Sequence, residues 1–152
     1  KKICKKTNDL KKDQIINDLI INTAVKPSIK LNENYKVATW SQINKIIKNK
    51  LFTIGGHSLT HSIFTKLTLE KLEKDITHTI KLIKKRTGYT VKHFSYPEGK
   101  YNNSVIKILK KNKILSSPIA NGFNNTYLQD PFKLKRIMVG FEQTKFPFKI
   151  FK

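Results

Sequence analysis

The stretch LFTIGGHSLTH, residues 51–61, decides how this chain is read. A short apolar run ends in a glycine pair, Gly55 and Gly56, and two histidines follow, His57 and His61. The run predicts a strand stopped by the glycines. In α/β folds the chemistry gathers just past the carboxyl ends of the strands, where this pair falls. If the residues after Gly56 turn helically, the four-residue spacing puts both imidazoles on one face. Imidazole suits zinc, cobalt, nickel or iron. Ser58 and Thr60 can then supply the hydrogen bonds that fix the ring tautomers. The plainer alternative is that His57 caps a turn and His61 packs under a helix. The spacing alone leaves both open.

Outward from this stretch, helix and strand patterns alternate. Residues 9–21, DLKKDQIINDLII, predict a helix with Leu10, Ile15, Leu19 and the neighbouring isoleucines inward. Residues 22–38 look irregular around Pro27. In TWSQINKIIKNK, Thr39 and Gln42 form a capping box, and Ile43, Ile46 and Ile47 form a buried stripe. Past the histidines, Thr68 caps a helix whose Leu69, Leu72, Ile76, Ile80 and Ile83 share a face, with Gly88 placed to end it. VKHFSYP, residues 91–97, predicts a strand stopped by Pro97. A further helix runs from about Ser104 to Asn112, and ILSSPIA (114–120) and LKRIMVGF (134–141) read as strands. The alternation points to an α/β architecture with a mainly parallel sheet.

The bulk numbers narrow the classes. The chain has 152 residues, enough for one domain with a real core. Its net charge of +21 suggests a polyanionic partner. Yet of 31 basic residues only Arg86 and Arg136 are arginines, and the lysines are spread along the chain. Readers of phosphates and base edges favour arginine, so solvated helix faces account for the charge and no nucleic acid is expected. The single cysteine, Cys4, excludes an internal disulfide framework and a Cys-based zinc site. No run approaches the roughly 18 apolar residues of a membrane span.

Three stretches taken in order carry a resemblance. IGGHSLTH is followed by KLTLEKLEKDI and then by HFSYPEGKYNNSVIKILKKN. With the TWSQINKIIKNKLF lead-in and DPFKLKRIMVGF near the end, residues 39 to 146 resemble the polysaccharide deacetylase family. The resemblance implies a distorted barrel of parallel strands surrounded by helices. It implies removal of N-acetyl groups from sugars, so the expected partner is an N-acetylated sugar or glycan. It also implies a divalent metal, commonly zinc, held by an aspartate and two histidines, here His57 and His61. Such a metal lowers the pKa of a water and stabilises a tetrahedral oxyanion.

The family's next motif, close to R-x-F-R-x-P-Y-G, corresponds to KHFSYPEG, residues 92–99. Phe94, Pro97 and Gly99 match, while Lys92, Ser95 and Glu98 depart from it. The resemblance assigns the backbone N–H of Glu98 to the oxyanion, a role that survives a side-chain change. Ser95 cannot replace the arginine that orients the catalytic aspartate. Arg136 either does so from another strand or makes a structural salt bridge. Tyr96, Pro97 and Tyr101 are expected to line the sugar site, with a place in the core as the alternative for Tyr96. His93 is expected to face away from it, and His78, in mid-helix, to be exposed.

Two family motifs are absent. T-F-D-D-G, which supplies the general base and the aspartate ligand, does not occur, and Asp9, Asp13, Asp18, Asp75 and Asp130 all lack its context. The late L-x-H, which supplies a general acid, has no counterpart, since no histidine follows His93. The chain begins at Lys1 rather than Met, so the first strand is expected to have been lost upstream. The expectation is an incomplete barrel, inactive alone, with residues 1–38 as an N-terminal segment and 39–152 as the C-terminal part of the domain. Ile54 and Phe94 would then line an uncovered edge. The rival readings are a non-catalytic sugar-binding relative and a basic nucleic-acid-binding domain whose binding falls steeply with salt.

Overall fold

The computed structural model describes residues 9–23, 37–120 and 125–136. The chain divides into two compact units, Lys1–Gln42 and Ile43–Lys152. In the first, α1 spans Asp9–Thr23. Of the expected inward stripe, Leu19 is 57% exposed and Ile15 is half-buried, while Ile16 and Ile21 are exposed. The apolar residues include the adjacent pairs Ile15–Ile16 and Ile20–Ile21. At about 100° per residue, these pairs spread the apolar side chains over a broad arc of the helix.

Helix α2, Trp40–Ile47, opens with the expected capping box. The Thr39 N–H donates to Gln42 Oε1 at 2.8 Å, and the Gln42 N–H to Thr39 Oγ1 at 3.3 Å. Its isoleucine stripe is shallower than expected, with no buried residue and Ile46 39% exposed. Asn44 Nδ2 ties this helix to the Arg86 carbonyl, 3.2 Å away.

Helix α3, Leu69–Thr87, starts at Thr68, whose hydroxyl accepts from the Lys71 N–H. It ends at Gly88, where φ is +71° and the N–H donates to Lys84 O at 2.8 Å. Leu72 and Ile76 are buried, Ile80 and Ile83 pack against the core, and Leu69 at the first turn is exposed. Helix α4, Asn103–Lys111, is capped by the Asn102 side chain and buries Val105, Ile106, Ile108 and Leu109. These two helices contact each other, and Glu73 pairs with Lys111 across them.

Among the described residues the expected strands are present as short parallel pairings. Gly56 bridges Phe94, and His93 bridges Ser116, both in parallel. The Gly56 N–H donates to His93 O at 2.9 Å, and the Ser95 N–H to Gly56 O at 2.8 Å. The Phe94 N–H donates to Ser116 O at 2.9 Å, and the Leu115 N–H to Lys92 O at 2.7 Å. Ser117 and Ile119 donate onward to the Pro131 and Leu134 carbonyls. Pro97, Pro118 and Pro131 lack the N–H that would extend the pairing, which accounts for its shortness. Residues 137–141 of the last expected strand, and most of residues 1–38, lie outside the described residues.

The core gathers between the pairings and the two helices. Phe64, Leu72, Ile76, Phe94, Val105 and Leu109 are among its members. Phe94 is therefore not at an uncovered edge: it is 2% exposed, and its ring lies 6.3 Å from that of Phe64. Ile54 is half-buried, and Leu51 and Phe52, just before it in the chain, are exposed.

Candidate functional site

Two loops leave the parallel pairing at the same end. The first follows Gly56, which must be glycine because a Cβ there would stand 2.3 Å from the Phe94 ring. The loop is not helical. Ser58 and His61 are left-handed, with φ of +69° and +60°. The imidazoles of His57 and His61 nevertheless converge, with centroids 4.9 Å apart and planes at 72°. Both residues are exposed.

The tautomer of His57 follows from its partner. Its Nδ1 lies 2.8 Å from the Ser95 carbonyl oxygen. A carbonyl only accepts, so Nδ1 carries the proton and Nε2 keeps a free lone pair. That is the form in which a neutral imidazole binds a metal. The tie comes from the backbone of the second motif, not from Ser58 or Thr60 as the sequence suggested. Ser58 Oγ donates instead to Asp75 Oδ2 at 3.0 Å, and Thr60 Oγ1 pairs with Ser62 Oγ at 2.9 Å. Asp75 Oδ1 also accepts from the Leu59 N–H at 3.2 Å, which anchors the histidine loop to α3. No local spacing announces this role for Asp75, because its partners lie sixteen and seventeen residues back.

The second loop is a 3-10 turn at Pro97–Gly99. Glu98 is exposed with φ of +53°, and Gly99 has φ of +65°. Three of the four described non-glycine residues with positive φ, Ser58, His61 and Glu98, thus lie in the two motif loops. Each such residue costs roughly 1–2 kcal/mol, and such strain concentrates at functional sites. Gly99 is doubly required, by its φ and by Ala120 Cβ, 2.5 Å from where its own Cβ would be.

The aromatic residues sit differently from expectation. Tyr96 is 1% exposed and donates its hydroxyl to Phe132 O at 3.0 Å. Burial pushes its pKa up to about 12. Pro97 is buried with it. Neither presents a surface to a sugar, because strand alternation turns Tyr96 to the core side with Phe94. Tyr101 is half-buried and stacks on Tyr96, with centroids 5.0 Å apart. Arg136 is exposed, and its Nε donates to Ile119 O at 3.0 Å.

A cleft of about 500 Å³ opens beside the histidine loop. His57, His93, Ser95, Ser116 and Pro118 are among the residues that line it. His93 therefore faces the side of the site, not away from it. The signal was in the period of a strand: His93 and Ser95 are two apart and share a face. His93 Nδ1 lies 2.9 Å from Ser116 Oγ. His78 is exposed, as its mid-helix position suggested. Among the described residues no group of three His, Cys, Asp or Glu side chains is placed to hold a metal ion.

A family model described as polysaccharide deacetylase matches residues 16–115. Curated proteins give no match. Solved structures do. IcaB from Ammonifex degensii is 18% identical with a TM-score of 0.64, covering 72% of this chain and 51% of its own. The Streptococcus pyogenes deacetylase PplD, in complex with acetate, is 14% identical with a TM-score of 0.64, covering 70% and 47%. A de-N-acetylase from Aggregatibacter actinomycetemcomitans is 19% identical with a TM-score of 0.61, covering 80% and 55%. The chain spans about half the length of these structures and shares the fold of that half. A match that runs from α1 through both motif loops to Leu115 does not rest on one common element: the chain belongs to the polysaccharide deacetylase family.

Proposed function

We propose that this chain forms part of a metal-dependent N-deacetylase that hydrolyses the acetamide of N-acetylated glycans. The observation that carries the reading is the His57–His61 pair, with His57 held by Ser95 O in the ligand tautomer. The two imidazoles fit a divalent ion of zinc type as two of its ligands. Zinc there supplies Lewis acidity for water activation and carbonyl polarisation. The third ligand and the general base would be aspartates of a T-F-D-D-G motif, which this sequence does not contain. The paired segments through Gly56, Phe94, Ser116 and Pro131 are part of a β/α barrel that further strands complete.

The chain's own residues have separate tasks. Asp75 and Ser58 hold the histidine loop in its left-handed turns. The Glu98 N–H, on its strained turn, faces the developing oxyanion. Arg136 orients a carboxylate at the cleft, and Tyr101 borders the sugar. Cobalt(II) titration of the chain tests the first step, with His57→Gln and His61→Gln as controls. Binding in the wild type that both variants lose supports the ligand pair, and binding that survives both overturns it. Acetate release from N-acetylglucosamine oligomers by the metal-loaded protein tests the reaction. Glycan binding without acetate release, even with an acidic segment supplied, favours the non-catalytic sugar-binding relative.

A further inference from the structure

The cleft holds two histidines in contrasting hydrogen-bond environments. His57 faces a carbonyl oxygen, which fixes one tautomer. His93 faces the Ser116 hydroxyl at 2.9 Å. A hydroxyl donates or accepts with equal ease. Ser116 therefore stays bonded to His93 Nδ1 whether that nitrogen carries a proton or not. His93 can gain and lose a proton without breaking its support, whereas His57 cannot move its Nδ1 proton without losing Ser95 O. Among the described residues lining the cleft, these two histidines are the only ones whose side chains carry a ring nitrogen that can pass on a proton. With His57 committed as a ligand, His93 is the group left to transfer a proton. The hydrolysis needs one, because an alkylamine leaves from carbon only as it is protonated.

We infer that His93, positioned by Ser116, donates the proton to the departing sugar amine. This rests on the deacetylase reading. As the C–N bond breaks, its electron pair stays on nitrogen, and the ring N–H of His93 supplies the proton that nitrogen binds. The oxygen of the attacking water ends in acetate. That water's proton, taken first by the carboxylate base, restores His93. Atoms and charge balance as amide plus water giving acetate and ammonium. Ser116 is a positioning residue, since it acts through the His93 ring.

Two measurements test the inference. The first uses ¹⁵N NMR of the histidine rings in the chain itself. His57 should show a single Nδ1–H tautomer, and His93 should show both tautomers in exchange. Ser116→Ala should change the His93 pattern and leave that of His57 unmoved. A His93 ring frozen in one tautomer, or indifferent to Ser116→Ala, overturns the proposal. The second compares two substrates of the metal-loaded protein, an N-acetylglucosamine oligomer and 4-nitrophenyl acetate. The phenolate leaves without a proton. His93→Gln should lower kcat on the amide by about a hundredfold or more and on the ester by less than tenfold. Equal losses on both, or none on the amide, overturn the assignment of His93 alone. A wild-type protein that binds glycan and cleaves neither substrate, even with an acidic segment supplied, overturns the deacetylase reading, and this proposal with it.

Discussion

The Ser58 hydroxyl donates to Asp75 Oδ2 at 3.0 Å while its oxygen accepts two backbone N–H groups, from Ser62 at 3.0 Å and from Thr60 at 3.3 Å. One side chain thus satisfies both ends of the loop that carries His57 and His61, and one carboxylate holds that side chain.

Asp75→Asn should break this arrangement whichever way the amide turns. With its NH₂ toward Ser58, two donors face each other, because the Ser58 oxygen already accepts twice. With its NH₂ toward Leu59, it meets a backbone N–H. A hydrogen bond to a charged group contributes about 1.5–3 kcal/mol, so a loss near the lower end of that range is expected. Metal affinity at His57 and His61 should fall about 10–100-fold, as for other residues that orient ligands. Urea unfolding and cobalt titration read the two effects. An unchanged affinity would show that the histidines converge without Asp75.

Ser95 should behave oppositely, because its backbone holds His57. Ser95→Ala keeps the carbonyl at 2.8 Å from His57 Nδ1, so metal affinity should stay within about twofold. A large loss would mean that the side chain, not the carbonyl, is what the site needs.

Gly55 and Gly56 should differ under the same substitution. A Cβ on Gly56 meets the Phe94 ring at 2.3 Å, whereas on Gly55 the nearest atom is His93 O at 3.1 Å. Gly56→Ala must push a buried ring that already packs on Phe64, at a cost of about 1–3 kcal/mol. Gly55→Ala should cost less. Denaturant midpoints give the ranking, and equal midpoints would contradict the close approach of Gly56 to Phe94.

Much of this was readable from residue order. Thr39, Thr68 and Gly88 each mark a helix end through local chemistry, and each does so in the structure. The family was readable because its two motif loops are short and contiguous. Burial was read less well. Leu19, Ile46 and Leu69 fit apolar stripes, yet all three are exposed. Periodicity tells which side chains share a face, not whether anything covers it. Tyr96 was left open between sugar site and core, and His93 was turned away from the site, although Phe94 inward fixes both by alternation. Asp75 was passed over because its partnership with Ser58 exists only once α3 has folded back on the loop.

Tyr96 gives a pH test of its placement in the core. Its pKa rises from the ordinary 10 to about 12, chiefly through burial. Below pH 10 the hydroxyl is neutral in both folded and unfolded chains. Between about 10 and 12 the unfolded chain releases this proton and the folded chain keeps it. The unfolded state then binds fewer protons, so stability falls as pH rises through this window. Two pH units correspond to a loss of about 3 kcal/mol from this group. Lysines and other tyrosines titrate in the same range, so the informative quantity is the difference between wild type and Tyr96→Phe. That difference should shrink by about 2 kcal/mol from pH 9.5 to pH 12 in urea unfolding. At neutral pH, Tyr96→Phe should leave glycan binding unchanged, because the hydroxyl is occupied by Phe132 O inside the core. A flat difference, joined to weakened glycan binding, would return Tyr96 to the sugar-facing role that the sequence suggested.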